Sequence, residues 1–469
     1  MTQNAVLDEQ DDAAVAVRRR TLTLSALGTF LALALFTVPM SALPSVAAAL
    51  GAGAAGQTWI LSSMSVGLAA GLLISGALAD DFGRRRVFFL GSVVTAVTLL
   101  VGALAPSTLV FVLARIGQGL GAAAVIACGL GLIGHAFPDP HGRTRATGIW
   151  GAAVGAGIAA GPLLSAALGP MLGWRSPYLL LMVLTAAFAV AARLMLVESR
   201  RPAEHVGRPD LTGAVLLGVG LSALLAGLVT GREGWLRAQT LVLLIASVLL
   251  LVGFVLVELR TGRRGLESGA APLLDLGLLR RPDFVAVTVA GLATGMGVIA
   301  VMSFLPTLME RGLGADALVG SLGIVIWSGV SVPVALVARR LRINGDVQLA
   351  IGLSVVAVGL LLLCGLHSGD GLLRLVPGLV IAGLGSGVLN AALGRQAVAS
   401  VPPDRAGMGS GANNTARYLG SAIGVTVLVV LATRPGELLS NWNAAVLTAL
   451  VFSLAGAAAV LLCLRRTRP

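Results

Sequence analysis

The chain has 469 residues, 57% of them hydrophobic and a further 62 of them Gly, so about 70% is apolar against roughly 45–50% in a soluble domain. Charged residues make up only 12%, too little polar surface to keep a soluble core of this size dispersed, and a polytopic membrane protein follows. The formal charge is +12, carried by 33 Arg and no Lys, which excludes phosphate-loop, Schiff-base and Ser–Lys chemistry.

A helix crossing the bilayer core needs about 20 apolar residues. By that measure fourteen spans are expected, at 22–44, 57–79, 87–106, 108–134, 146–170, 176–196, 211–230, 238–257, 284–308, 317–338, 348–366, 373–399, 409–432 and 442–463. The first run follows Arg18-Arg19-Arg20 and is too long for a signal-peptide core, so it is expected to stay as a span. With the N-terminus inside, 25 Arg fall in loops on that side and 6 on the other. Both termini are therefore expected in the cytoplasm, and the Arg-, Ala- and Gly-rich composition suits a bacterial inner membrane. Short Arg clusters between apolar runs are a topology signal, and no nucleic-acid partner is expected.

The connections 197–210 and 258–283 are longer than the others and bracket spans 7 and 8. The expected organisation is a tail (1–21), a six-helix bundle (22–196), a two-helix insert with its loops (197–283), a second six-helix bundle (284–463) and a tail (464–469). Two related halves around a midplane site is how secondary transporters are built.

Spans 2 and 3 are joined by Gly76-Ala-Leu78-Ala79-Asp80-Asp81-Phe82-Gly83-Arg84-Arg85-Arg86. Its glycines allow close approach, and Asp80 can face the positive N-terminal end of span 13, near Met408. Span 4 carries Arg115-Ile-Gly117-Gln118-Gly119-Leu-Gly121. Arg at that depth costs about 2.5–3.5 kcal/mol on insertion scales, so Arg115 is expected to face the cavity with Gln118 one turn away. Span 5 reads Gly151-Ala-Ala-Val-Gly155-Ala-Gly157-Ile-Ala-Ala-Gly161-Pro162-Leu-Leu-Ser165. Small residues four apart give close helix packing and Pro162 a kink, so Gly157, Gly161 and Pro162 are expected to form a packing hinge.

This set resembles the major facilitator superfamily, matching its G-x-L-a-D-r-x-G-r-r loop, its span-4 Arg motif and the Gly-Pro motif of its exporters, with Ser165 in place of one Gly. Ala42-Leu43-Pro44, Trp59, Asp210-Leu-Thr-Gly213, Gly234-Trp235, Pro272-Leu-Leu-Asp275-Leu and the run from Gly407 through Asn413-Asn414-Thr415-Ala-Arg417-Tyr418 to Gly420 narrow the resemblance. They are similar to the fourteen-helix drug:proton antiporters, over essentially the whole chain from about residue 22. The resemblance implies an all-α fold of two six-helix bundles plus two extra helices, and export of small amphiphiles by alternating access. It also implies a latch at Gly76, Asp80, Gly83 and Arg84, and a pathway drawing on Trp59, Arg115, Gln118, Trp150, Glu310, Trp327, Asn413, Asn414, Arg417 and Tyr418. The proton gradient is the expected energy source, with no cofactor and a monomeric carrier. The alternative is a proton-independent carrier, or an importer of an anionic or neutral metabolite, on the same fold; the Gly-Pro motif argues against import.

One departure bears on cargo. Family members that export cationic drugs carry an Asp about nine residues before Ala42-Leu43-Pro44; here Leu33-Ala34-Leu35-Phe36-Thr37 has no acid, and all 21 carboxylates fall in loops or at span ends. A cavity holding Arg115 and Arg417 without a mid-depth acid is expected to favour neutral or anionic solutes. The remaining titratable candidates for coupling are Glu310, Asp80 and His135. Cys128, Cys364 and Cys463 lie apart in apolar segments, and the four His show no metal spacing. With no nucleophile–base pair either, an enzyme is not expected.

Overall fold

The computed structural model describes residues 2–465 apart from 199–207, 232–233, 269, 272, 339, 342, 368, 433 and 435. Among the described residues fourteen helices are long and apolar enough to cross a membrane. They are α1 (Thr2–Leu50), α2 (Ala54–Phe82), α3 (Arg84–Ala103), α4 (Thr108–Ala136), α5 (Pro140–Leu172), α6 (Ser176–Met195) and α7 (Leu211–Thr230). Then follow α8 (Ala238–Ser268), α9 (Pro282–Leu313), α10 (Ala317–Ala338), α11 (Gly345–Leu362), α12 (Val376–Ala399), α13 (Ala406–Ala432) and α14 (Leu438–Arg465). An even number of passes puts both termini on one face, called here the termini face, opposite the far face.

Several ends differ from expectation. The first helix runs from Thr2 to Leu50, with Pro39 and Pro44 inside it, where the apolar run alone gave 22–44. The ninth continues to Leu313 and stops at Gly314, whose φ of +69° is left-handed. The eighth extends to Ser268 and converts part of the expected 258–283 loop into helix. Helix starts follow side-chain caps: Asp139 accepts the Gly142 N–H ahead of α5, and Asp210 accepts the Gly213 N–H ahead of α7.

Helices α1–α6 pack on one another, as do α9–α14, and the halves meet through α5 against α10 and α12 and through α2 and α4 against α13. The α7–α8 pair leans on this junction, with α7 against α2 and α13. A two-residue parallel pairing of Arg208–Pro209 with Ala270–Ala271 ties together the loops flanking the pair.

Without a hydrophobic force between helices in lipid, close backbone approach at small residues holds the bundle. Gly157 of α5 faces Phe30 of α1 so closely that a Cβ there would sit 2.5 Å from the Phe30 carbonyl oxygen, and a Cβ on Gly161 would strike the Ala34 carbonyl and the Thr37 hydroxyl. Gly169, two turns on, has open space around its Cβ position. Gly161→Leu is therefore expected to lower stability by at least the ~1–3 kcal/mol of an overpacked core, seen as a lower melting temperature in detergent, while Gly169→Leu leaves it unchanged.

Candidate functional site

Helical spacing gathers hydroxyls on the faces that meet between the halves. Ser62 and Ser65 on α2, Ser303 and Thr307 on α9, and Ser421 on α13 line a chamber of about 200 Å³. Phe36 and Met40 of α1, Phe304 of α9 and Val425 of α13 supply its apolar walls. The chamber leads to a wider vestibule of about 530 Å³ at the far face, bordered by the α1–α2 turn, Gln57, Glu310 and Arg311. Beneath it a small gap continues between Phe36, Thr37, Met40, Met302, Arg417 and Tyr418.

On the termini side the halves are closed by glycine. A Cβ on Gly76 of α2 would collide with the Gly407 carbonyl of α13, and one on Gly411 would lie 2.5 Å from the Leu72 carbonyl. Gly131 of α4 approaches the Gly407 Cα in the same way, at 3.4 Å from its Cβ position. Trp150 is buried in this seal, its indole Nε1–H donating to Thr29 Oγ1 at 2.9 Å and its ring against Gly394 of α12. The molecule is thus open at the far face and shut at the termini face.

The α2–α3 junction depends on a residue that motif reading missed. Gly83 has φ +108°, a conformation that disfavours any side chain, and a Cβ there would lie 2.6 Å from the Glu198 carboxylate. Glu198, just beyond α6, accepts the Arg85 N–H at 3.0 Å and sits 3.8 and 3.7 Å from the Arg85 and Arg86 guanidiniums. Its carboxylate thereby occupies the positive end of α3. The available signal was an acid directly after span 6, on the same face as the Arg cluster. Arg84 is buried beside Gly131. The side chains of Asp80 and Asp81 lie outside the described residues.

Arg115 is fully buried but does not line the chamber, contrary to the expected cavity-facing position. Its Nη1 donates to the Leu35 carbonyl at 3.0 Å and to Gln118 Oε1 at 3.3 Å, and its Nη2 donates to the Phe36 carbonyl at 3.3 Å. The reason is Pro39: it has no N–H, so the carbonyl four residues earlier, that of Leu35, lacks its helical donor and Arg115 supplies one. Gln118 donates through Nε2 to the Thr98 carbonyl at 3.1 Å and so ties α4 to α3. Pro162 follows the same rule. It sits inside a continuous α5 and frees the Ile158 carbonyl, which the Thr37 hydroxyl of α1 approaches at 3.1 Å.

The other expected pathway residues divide. Trp327 is buried inside the second bundle with Nε1–H donating to Ser386 Oγ at 2.8 Å. Asn413 donates to the Val287 carbonyl at 2.7 Å, joining α13 to α9, and Asn414 turns back to Ser410 of its own helix. Trp59 is half-buried near the far end of α2. Glu310 borders the vestibule, next to Gly320 of α10. Only Arg417 and Tyr418 reach the floor, where the Tyr418 ring meets Phe36 edge-on at 5.7 Å. Opposite them α9 makes a π-helical turn at Gly295–Ile299, with Gly295 pressed on the Arg417 carbonyl. Such turns recur at functional positions, and the Gly-Met-Gly sequence was its unread signal.

Two six-helix halves with a helix pair at their junction and a central chamber define a membrane carrier, and comparison with known proteins agrees. The Major Facilitator Superfamily model matches residues 25–212 and 211–425, so the chain belongs to that superfamily. Among named relatives, a probable actinorhodin transporter of Streptomyces coelicolor is 35% identical, over 84% of this chain and 69% of that protein. The cephamycin export protein CmcT of Amycolatopsis lactamdurans is 34% identical, over 88% and 86%. With such relatives the chain is of the superfamily's drug-efflux type. The crystal structure of the human organic anion transporter MFSD10 shares the fold, with a TM-score of 0.68 over 94% of this chain and 99% of that one, at 20% identity.

The two membrane arginines are expected to respond oppositely to removal. Arg115→Met leaves the Leu35 carbonyl without a donor and should lose the ~1.5–3 kcal/mol of a charged hydrogen bond, read as a lower melting temperature. Pro39→Ala, which restores the helical N–H, should recover part of that loss. Arg417→Met, which breaks no hydrogen bond among the described residues and removes a buried, unpaired charge, should melt above the parent.

Proposed function

We propose that this protein is a secondary-active exporter that carries small amphiphilic molecules from the cytoplasm across a bacterial inner membrane by alternating access, using the proton gradient. The observation that carries the reading is the pairing of a glycine-sealed termini face with an apolar, hydroxyl-lined chamber open at the far face. The Arg bias makes the termini face cytoplasmic, so this conformation is the one that releases cargo outward. Relatives named as antibiotic transporters and exporters support export over import. Among the described residues no acid lines the chamber itself, which supports neutral or anionic cargo. Glu310, which borders the vestibule, is the group we assign to proton coupling. The carrier works as a monomer and without a cofactor.

The test is a pH-dye assay in everted vesicles. Neutral or anionic amphiphiles should dissipate the proton gradient, and Glu310→Gln should abolish that response. A response confined to cationic dyes overturns the cargo reading; an undiminished response in Glu310→Gln removes Glu310 from coupling. The glycine seal gives a second expectation. Gly76→Leu should hold the halves apart at the termini face, so a Ser303→Cys reporter in the chamber reacts at least several-fold more slowly with an impermeant maleimide added at the far face.

A further inference from the structure

We propose that Arg417, with Tyr418 beside it, forms an anion-binding subsite at the chamber floor, and that the cargo is an amphiphile whose single ionised acidic group seats there. The proposal rests on the exporter reading and names its cargo class.

Arg417 is only 4% exposed, and its Nε is buried without a partner. Among the described residues no hydrogen bond or ion pair reaches its guanidinium. No acid is available along the packed helices either. Residues 22–50 of α1, 140–172 of α5 and the whole of α13 contain none, and α9 has Asp283 and Glu310 only near its two ends. Arg115 shows what a structural arginine looks like in this chain, with two carbonyls and an amide as acceptors. Arg417 is nearly as buried and has none of that. A buried, unpaired charge in a bilayer is strongly unfavourable and calls for a partner.

The position tells where the partner enters. Arg417 and Tyr418 border the gap beneath the chamber, and Phe36 and Met40 line both spaces. A molecule in the chamber can therefore rest its apolar body on Phe36, Met40 and Phe304 with its acidic group at the gap that Arg417 borders, a space of about 20 Å³ that widens as the group seats. An ionised acid paired with Arg417 makes the loaded site neutral, so it crosses between access states without a further buried acid.

The test uses the purified full chain in lipid nanodiscs, with no gradient, and two fluorescent probes of one shape. One is 1-anilinonaphthalene-8-sulfonate, the other its uncharged counterpart N-phenyl-1-naphthylamine, each read against empty nanodiscs. The parent should bind the sulfonate about tenfold or more tightly than the neutral probe, as a single charged hydrogen bond provides. Arg417→Gln should remove most of that difference, any remainder being that of Arg311, which also lines the chamber, while leaving the neutral probe within about twofold, and Arg417→Lys should keep part of it. Equal affinity of the two probes for the parent overturns the proposal without any variant. So does unchanged selectivity in an Arg417→Gln protein that melts no lower than the parent. A third arm titrates chloride: if chloride fills the site and the neutral probe then binds as tightly as the sulfonate, Arg417 holds an inorganic ion and the cargo class is wrong. Intact probe selectivity with no vesicle transport removes the exporter reading alone; transport without selectivity removes the subsite alone.

Discussion

The wall of the chamber depends on backbone carbonyls that prolines leave open. Inside a bilayer there is no water to satisfy such a group, so each must find a donor from a neighbouring helix. In α1, Pro39 frees the Leu35 carbonyl and Arg115 of α4 takes it. In α5, Pro162 frees the Ile158 carbonyl, and the Thr37 hydroxyl of α1 lies within bonding distance of it and of its own Leu33 and Ala34 carbonyls. These two bonds fix α1 between α4 and α5 at the level where Phe36 and Met40 begin the chamber wall. Gly157 and Gly161 then let α5 close on α1 down to backbone contact. The proline and glycine positions act as one device: the prolines create acceptors, and the glycines bring donors within reach.

The seal at the termini face is of another kind. Gly76 against Gly407, Gly411 against Leu72 and Gly151 against Ala391 are contacts of backbone surfaces, held by dispersion. Dispersion is lost steeply with separation, so these glycine contacts are firm while shut and weaken quickly once the surfaces part. A carrier that alternates needs two conformations separated by only a few kcal/mol. Glycine-to-backbone contact, with no bulky side chain to repack, suits that need. The Glu198 clamp on Arg85 and Arg86 lies outside the seal and stays within the first half, where it holds the α2–α3 turn.

Much of this was legible in the residues. Apolar run length gave the fourteen helices, and glycine spacing pointed to the close approaches at Gly76, Gly157 and Gly161. The partner of Arg115 was not legible, because it depends on which carbonyl Pro39 frees and on α1 lying beside α4. The indoles of Trp150 and Trp327 were expected in the pathway because large aromatics suit adaptable sites. An indole N–H in lipid must have an acceptor, and Thr29 and Ser386 hold these two rings inside the packing instead. The serines that do line the chamber carry no sequence signal, since hydroxyls bonded to their own helix backbone are common at every depth.

The α7–α8 insert contributes no residue to the chamber or its vestibule among those that line them, yet it packs on both halves where they meet. Leu217 and Leu221 of α7, Phe254 of α8 and Leu273 of the following loop share one buried cluster with Leu73 of α2 and Met408 of α13. That loop is held by the buried Glu258 carboxylate, which accepts the Leu273 and Leu274 N–H groups at 3.2 and 3.4 Å. Its Asp275 lies 3.6 Å from Arg405, one residue ahead of α13. The extra helices therefore press on the outside of the same α2–α13 contact that glycine closes on the inside. A pair of helices that only lengthened the chain would have its apolar surface in lipid; this one spends part of it against the seal, which places the insert among the elements that set how readily the termini face opens.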